Sequence, residues 1–241
     1  IGAGGSGGSI AGAGGAGGSA GEGGTGGDAG AGGGCTIAEP LEHTRGSADL
    51  LLVIDDSGSM ADEQAALAML APDLLANLAP LHWQIGVTTT DLDLVGGRLV
   101  PVDGSSPRIV SPQTPDAVDV LAANVQVGTM GSAMEMGIGA AVRAVALADL
   151  VDDPSTALPD DGNLGLLRAD AELAVVFVTD EDDGSAETVA DAHAALVAAK
   201  GHAERVTVHE IFTAPEAPPC SAPGTRYSAL AGLTGGEHVH G

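Results

Sequence analysis

Asp55, Ser57 and Ser59 stand two residues apart in a turn that follows the apolar run Leu51-Leu52-Val53-Ile54. Carboxylate and hydroxyl oxygens are hard donors, and this spacing suits a divalent cation. If the run is a strand of an open sheet, it delivers Asp55 to the sheet's carboxyl edge, and the tight turn through Gly58 can swing both hydroxyls toward one point. Serine hydroxyls are neutral, so an ion held there stays electron-poor and keeps charge to offer an incoming carboxylate. That describes a binding site better than a buried structural ion. The plain alternative is a strand followed by a polar turn.

Two later segments sharpen the reading. Gly128-Thr129-Met130-Gly131-Ser132 opens an apolar helical pattern, and Val175-Val176-Phe177-Val178-Thr179-Asp180 is a second apolar strand ending in an acid. Taken with the Asp-x-Ser-x-Ser turn, these segments resemble a von Willebrand factor A domain over roughly residues 48 to 241. The resemblance implies a metal-ion-dependent adhesion site in which Asp55, Ser57, Ser59, Thr129 and Asp180 gather around one Mg²⁺, or Mn²⁺ or Ca²⁺. It also implies a protein partner that offers an Asp or Glu carboxylate to the ion.

The chain departs from that family's pattern in two places. Met130 and Gly131-Ser132 follow Thr129 where a short polar turn is usual, which makes Ser132 a substitute ligand to consider. After Asp180 the chain continues Glu181-Asp182-Asp183-Gly184-Ser185, an acidic rim in which Asp182 and Asp183 could hold a second, weaker cation or simply cap the next helix from a solvated loop. Asp56 occupies a variable position of the motif and is expected to face solvent.

The elements that must position these residues alternate. Strands are predicted near 49–55, 82–90, 98–102 with 107–110, 172–179 and 205–212, each apolar or β-branched and bounded by Gly, Pro or Asp. Helices are predicted near 60–79, 115–124, 132–149, 186–200 and 225–233. The pair 98–102 and 107–110 reads as a hairpin supplying an antiparallel edge strand. The whole is an α/β, Rossmann-like, open and mainly parallel sheet with helices on both faces, which binds ligands outside the carboxyl ends of its strands. Asp55 and Asp180 should both sit there. His238 and His240 could share a face of a terminal strand, but with no third ligand nearby a frayed polar end is expected.

Composition narrows the partners. The 241 residues carry 33 Asp plus Glu against 8 Lys plus Arg, a formal net charge of −25. Nucleic acid is excluded as a partner because phosphate contacts need cationic side chains, and anionic membrane surfaces are disfavoured for the same reason. Residues 1–34 are mostly Gly, Ala and Ser and are expected to form a flexible tether. Residues 35–241 are left for one A-type domain. Its last stretch, Arg226 through Gly236, resembles the final helix and turn of A domains. Residues 151–170 read as a long acidic loop. Cys35 and Cys220 bracket the domain as a candidate disulfide. The layout is similar to envelope lipoproteins of myxobacteria-like Gram-negative bacteria, which places the domain at the cell surface, in the periplasm or outside the cell, with membrane attachment only through a lipid anchor upstream of Ile1.

An enzyme is the rival class. Ile54-Asp55-Asp56-Ser57-Gly58 has a faint likeness to the aspartate loop of subtilisin-like proteases, but Gly128-Thr129-Met130 lacks the nucleophile that family needs, and Ser57 stands where haloacid-dehalogenase-like phosphatases need a second carboxylate. No phosphate-binding Gly-x-x-x-x-Gly-Lys loop occurs. The expected function is therefore non-enzymatic, a metal-dependent protein-binding module on a glycine-rich stalk. The alternatives are a structural surface domain with a vestigial metal site, or a secreted hydrolase.

Overall fold

The structure, a computed structural model, describes residues 46–150, 162–212 and 225–240. The chain divides into two units, Ile1–Glu42 and His43–Gly241, and every described residue lies in the second. The tether at 1–34, the Cys35–Cys220 pairing and the first half of the acidic loop lie outside the described residues.

The elements run β1 (Ser47–Ile54), α1 (Ala61–Leu78), β2 (His82–Thr89), β3 (Ile109–Val110), α2 (Ala117–Asn124), α3 (Gly137–Ala146), β4 (Glu172–Thr179), α4 (Val189–Lys200), β5 (Val206–Phe212), α5 (Thr225–Thr234) and β6 (His238–His240). They form a six-stranded sheet of order β3-β2-β1-β4-β5-β6. All pairs are parallel except the edge pair of β2 with β3. This is the open, mainly parallel α/β sheet with one antiparallel edge strand that the sequence predicts.

Alternation along β1 explains why the sheet is covered on both faces. Leu51 and Val53 point into a core shared with Ile138 and Ala141 of α3, Leu196 of α4 and Leu230 of α5. Leu50, Leu52 and Ile54 point the other way, into a core with Leu75 of α1 and Leu121 of α2. Strands buried on both faces read as continuous apolar runs, which is why β1 and β4 stand out in the sequence. None of the described helices is long and apolar enough to cross a membrane.

Three sequence expectations need correction. Residues 98–102 form no strand. Val100 N reaches Val87 O at 2.8 Å, but Leu99 N is taken by the Asn163 side chain at 3.0 Å and Pro101 has no N–H, so no ladder grows. The helix predicted from 132 begins only at Gly137, because the amides before it are used elsewhere: Ser132 N bonds Asp91 Oδ2, Met134 N bonds Ser132 Oγ and Met136 N bonds Thr90 O. His238 and His240 do not lie in a frayed segment. His238–His240 adds a sixth strand parallel to β5, and His238 Nδ1 lies 2.6 Å from the buried Glu210 carboxylate.

Candidate metal centre

Asp55 begins the loop that leaves β1, and its position is fixed by the neighbouring strand: Asp55 N donates to Val178 O of β4 at 2.9 Å. Its side chain is fully buried. Oδ1 accepts from Ser57 N at 2.8 Å, which closes the turn that the Asp-x-Ser spacing allows. Oδ2 accepts from Thr179 Oγ1 at 2.7 Å. Each carboxylate oxygen has a second lone pair, so this carboxylate is oriented without being used up.

The turn then brings the hydroxyls together, with Ser57 Oγ and Ser59 Oγ 3.1 Å apart. The Ser59 side chain also lies near enough to the Asp180 carboxylate to favour its charged form. Asp180 follows the last residue of β4, and since β1 and β4 pair in parallel, Asp55 and Asp180 leave the sheet at the same edge. The Oδ1 of Asp180 is buried and has no hydrogen-bond partner among the described residues. A buried anionic oxygen without a donor is costly and calls for a counter-charge. Four of the five predicted ligands, Asp55, Ser57, Ser59 and Asp180, thus lie together at this edge.

Thr129 is the fifth. It is half-buried, and among the described residues its side chain makes no hydrogen bond to the other four. Its loop is nevertheless pinned to theirs on both sides. Gln64 of α1 donates from Nε2 to Asp55 O at 2.9 Å and to Gly128 O at 2.8 Å, while Gly128 N donates back to Gln64 Oε1 at 3.1 Å. Gly131 N donates to Asp56 O at 2.9 Å. Ser132, the substitute ligand, is committed elsewhere, its hydroxyl accepting from Met134 N at 3.0 Å.

Asp56 does not face solvent as expected; it is 6% exposed. Its carboxylate packs against Gly131, where a Cβ would collide with it. Burial pushes its pKa to about 6, with the Asp91 and Asp55 charges adding to the rise. Asp183 is engaged by the protein itself. Its oxygens accept from Ile138 N at 3.0 Å, Ser185 Oγ at 2.6 Å and Ser185 N at 3.2 Å, and pair with Arg226 at 3.0 Å. That carboxylate fastens the loop after β4 to α3 and α5.

Several residues that shape the centre were not singled out in the sequence. Thr179 orients Asp55, and Gln64 clasps the two loops. Glu135 is buried, accepts a hydrogen bond from Thr90 Oγ1 through Oε2, and among the described residues has no partner for Oε1. Burial, with the charges of Asp55, Asp56 and Glu181 added, raises its pKa from 4.5 to about 8. Burial also raises the pKa of Asp180, helped by Asp55 and Glu63, and of Glu181, helped by Asp180 and Asp55. The only signals for these residues were single polar side chains in apolar runs: Thr179 at the end of β4, and Glu135 between Met134 and Met136.

Acids crowded so that several resist ionisation form an environment that a cation would relieve. No three Asp, Glu, His or Cys side chains among the described residues form a metal cluster; what this edge offers a cation is two carboxylates with neutral hydroxyls. That set suits a hard cation such as Mg²⁺ or Mn²⁺.

The fold and this edge define an open α/β domain with a candidate cation site at the carboxyl ends of its strands. It is similar in fold to proximal thread matrix protein 1 of the mussel byssus, at 14% identity and a TM-score of 0.45 over 81% of this chain and 42% of that one. A second structure of that mussel protein is described as having a zinc-occupied MIDAS motif, with a TM-score of 0.44. The pilus adhesin SpaC of Lactobacillus rhamnosus GG matches at 10% identity and a TM-score of 0.45, over 83% of this chain and 28% of that one. The chain spans less than half the length of these structures. No protein-family model and no curated sequence matches it.

Proposed function

We propose that this domain binds a protein partner through a divalent cation held at the carboxyl edge of its sheet. The observation that carries the reading is the buried Oδ1 of Asp180, unpartnered among the described residues, beside the Ser57–Ser59 hydroxyl pair and a pre-oriented Asp55. Asp55, Ser57, Ser59 and Asp180 would hold the ion, with Thr129 on the adjoining pinned loop. A bound Mg²⁺ or Mn²⁺ supplies an electrophilic coordination position for a carboxylate. The chain's own residues do the rest: Thr179 and Ser57 N hold the Asp55 carboxylate in place, and Gln64 keeps the second loop against the first. The serine hydroxyls bring no charge, so a partner's Asp or Glu completes the shell better than an amide does. We assign the domain no catalytic role and place it outside the cytoplasm, carried on its glycine-rich segment.

Calorimetric titration of the full chain with Mg²⁺, Mn²⁺ and Ca²⁺ tests the reading. We expect saturable binding of one ion, abolished in Asp55→Ala, with the variant still folded by circular dichroism. Undiminished binding by that variant, or none by the wild type, would leave a structural domain without a working metal site.

A further inference from the structure

Three exposed apolar side chains crowd the loops beside the candidate cation site: Met130 is 91% exposed, Leu94 68% and Met134 60%. They are joined by one buried carboxylate. Asp91 Oδ1 accepts from Leu94 N at 2.8 Å and Oδ2 accepts from Ser132 N at 3.1 Å, so the Leu94 turn and the Met130–Met134 turn are locked side by side. The second turn is fixed to the metal loop through Gly131 N and Asp56 O. It is fixed to the loop after Asp180 as well, since Gly184 N donates to Glu135 O at 2.6 Å. A Cβ on Gly184 would lie 3.4 Å from Met134 Cγ. Glu181 and Asp182, in the loop after Asp180, are exposed and acidic.

A single apolar side chain in water needs no explanation, but three on turns tied together beside the candidate site offer a partner an apolar surface. Methionine's unbranched thioether adapts its shape to varied apolar partners. We propose that Leu94, Met130 and Met134 form an apolar shelf that selects the partner. Resting on the cation reading, the proposal is that the partner is a protein segment whose metal-binding Asp or Glu is flanked by a large apolar residue that lies on this shelf. A segment with acids on both sides would be opposed by Glu181 and Asp182.

The test is selection from a displayed random-peptide library on the immobilised full chain in Mn²⁺. Recovered peptides should carry an Asp or Glu with Leu, Ile, Phe, Met or Trp beside it, and EDTA should release them. A triple variant, Leu94→Ser with Met130→Ser and Met134→Ser, should bind a recovered peptide about tenfold or more weakly, the loss expected from removing apolar contacts. Its calorimetric affinity for Mn²⁺ alone should stay within about twofold of wild type, because none of the three is a ligand. Acidic peptides without apolar neighbours, a triple variant that binds them like wild type, or no peptide recovered at all would each overturn the shelf while leaving the ion in place. A wild-type chain that takes up no Mn²⁺ overturns the cation reading and the shelf with it.

Discussion

Gln64 grips Gly128 from both sides, donating to its carbonyl at 2.8 Å and accepting from its amide at 3.1 Å. The same Nε2 also reaches Asp55 O at 2.9 Å. One buried amide of α1 therefore holds the two loops of the candidate site in register. Gln64→Ala should leave the Gly128 and Asp55 backbone groups short of partners, lowering stability by about 1–3 kcal/mol. Cation affinity should fall too, although no ligand has been touched. Urea denaturation and calorimetry on the same preparation separate the two effects.

Thr179 gives a cleaner test of orientation. Its hydroxyl donates to Asp55 Oδ2 at 2.7 Å, and Thr179→Val nearly preserves its shape while removing the donor. Loss of such an outer partner typically weakens metal binding about 10- to 100-fold. We expect a drop in Mn²⁺ affinity in that range, with Thr179→Ser restoring most of it; an unchanged affinity would mean Asp55 needs no such support.

Much of this was legible in the sequence because β1 and β4 are buried on both faces and so appear as unbroken apolar runs, each ending in the acid that reaches the edge. The Asp-x-Ser-x-Ser turn is local chemistry, and Ser57 N on Asp55 Oδ1 follows from spacing alone. What failed depends on distant groups. Asp56 is buried because Gly131, 75 residues on, leaves room for it. Helix α3 starts late because Asp91 and Thr90 take amides that local propensity assigns to a helix. Gln64 resembles any polar residue near a helix start until its partners, Gly128 among them, are known.

Glu135 should make the metal-free protein less stable as pH rises. Folded, it keeps its proton up to about pH 8, whereas its ordinary value is 4.5. Between those values the folded state binds more protons than the unfolded state, so stability falls with rising pH and levels off above about 8. Thermal unfolding in EDTA across pH 4.5–8 should show this slope, and Glu135→Gln should flatten it. An identical slope in the variant would place its cause elsewhere.

At the opposite end of β1, Asp49 is fully buried and holds Arg168 Nε at 2.7 Å and Lys200 Nζ at 3.3 Å. Asp49→Ala strands the buried ammonium of Lys200, a change that typically costs about 3–5 kcal/mol. Because this network sits at the amino end of the strand, cation binding by the folded fraction should not change. Denaturant midpoints and Mn²⁺ titration would show whether the two ends of β1 are independent.

The most direct measurement of the central claim is anomalous diffraction from crystals of the chain grown or soaked in Mn²⁺. One peak is expected among Asp55, Ser57, Ser59 and Asp180, at oxygen distances of about 2.0–2.6 Å, the span of Mg²⁺ and Ca²⁺ sites. It should be absent from crystals of Asp55→Ala. A peak confined to other acidic residues, or no peak at this edge at saturating Mn²⁺, would contradict the account.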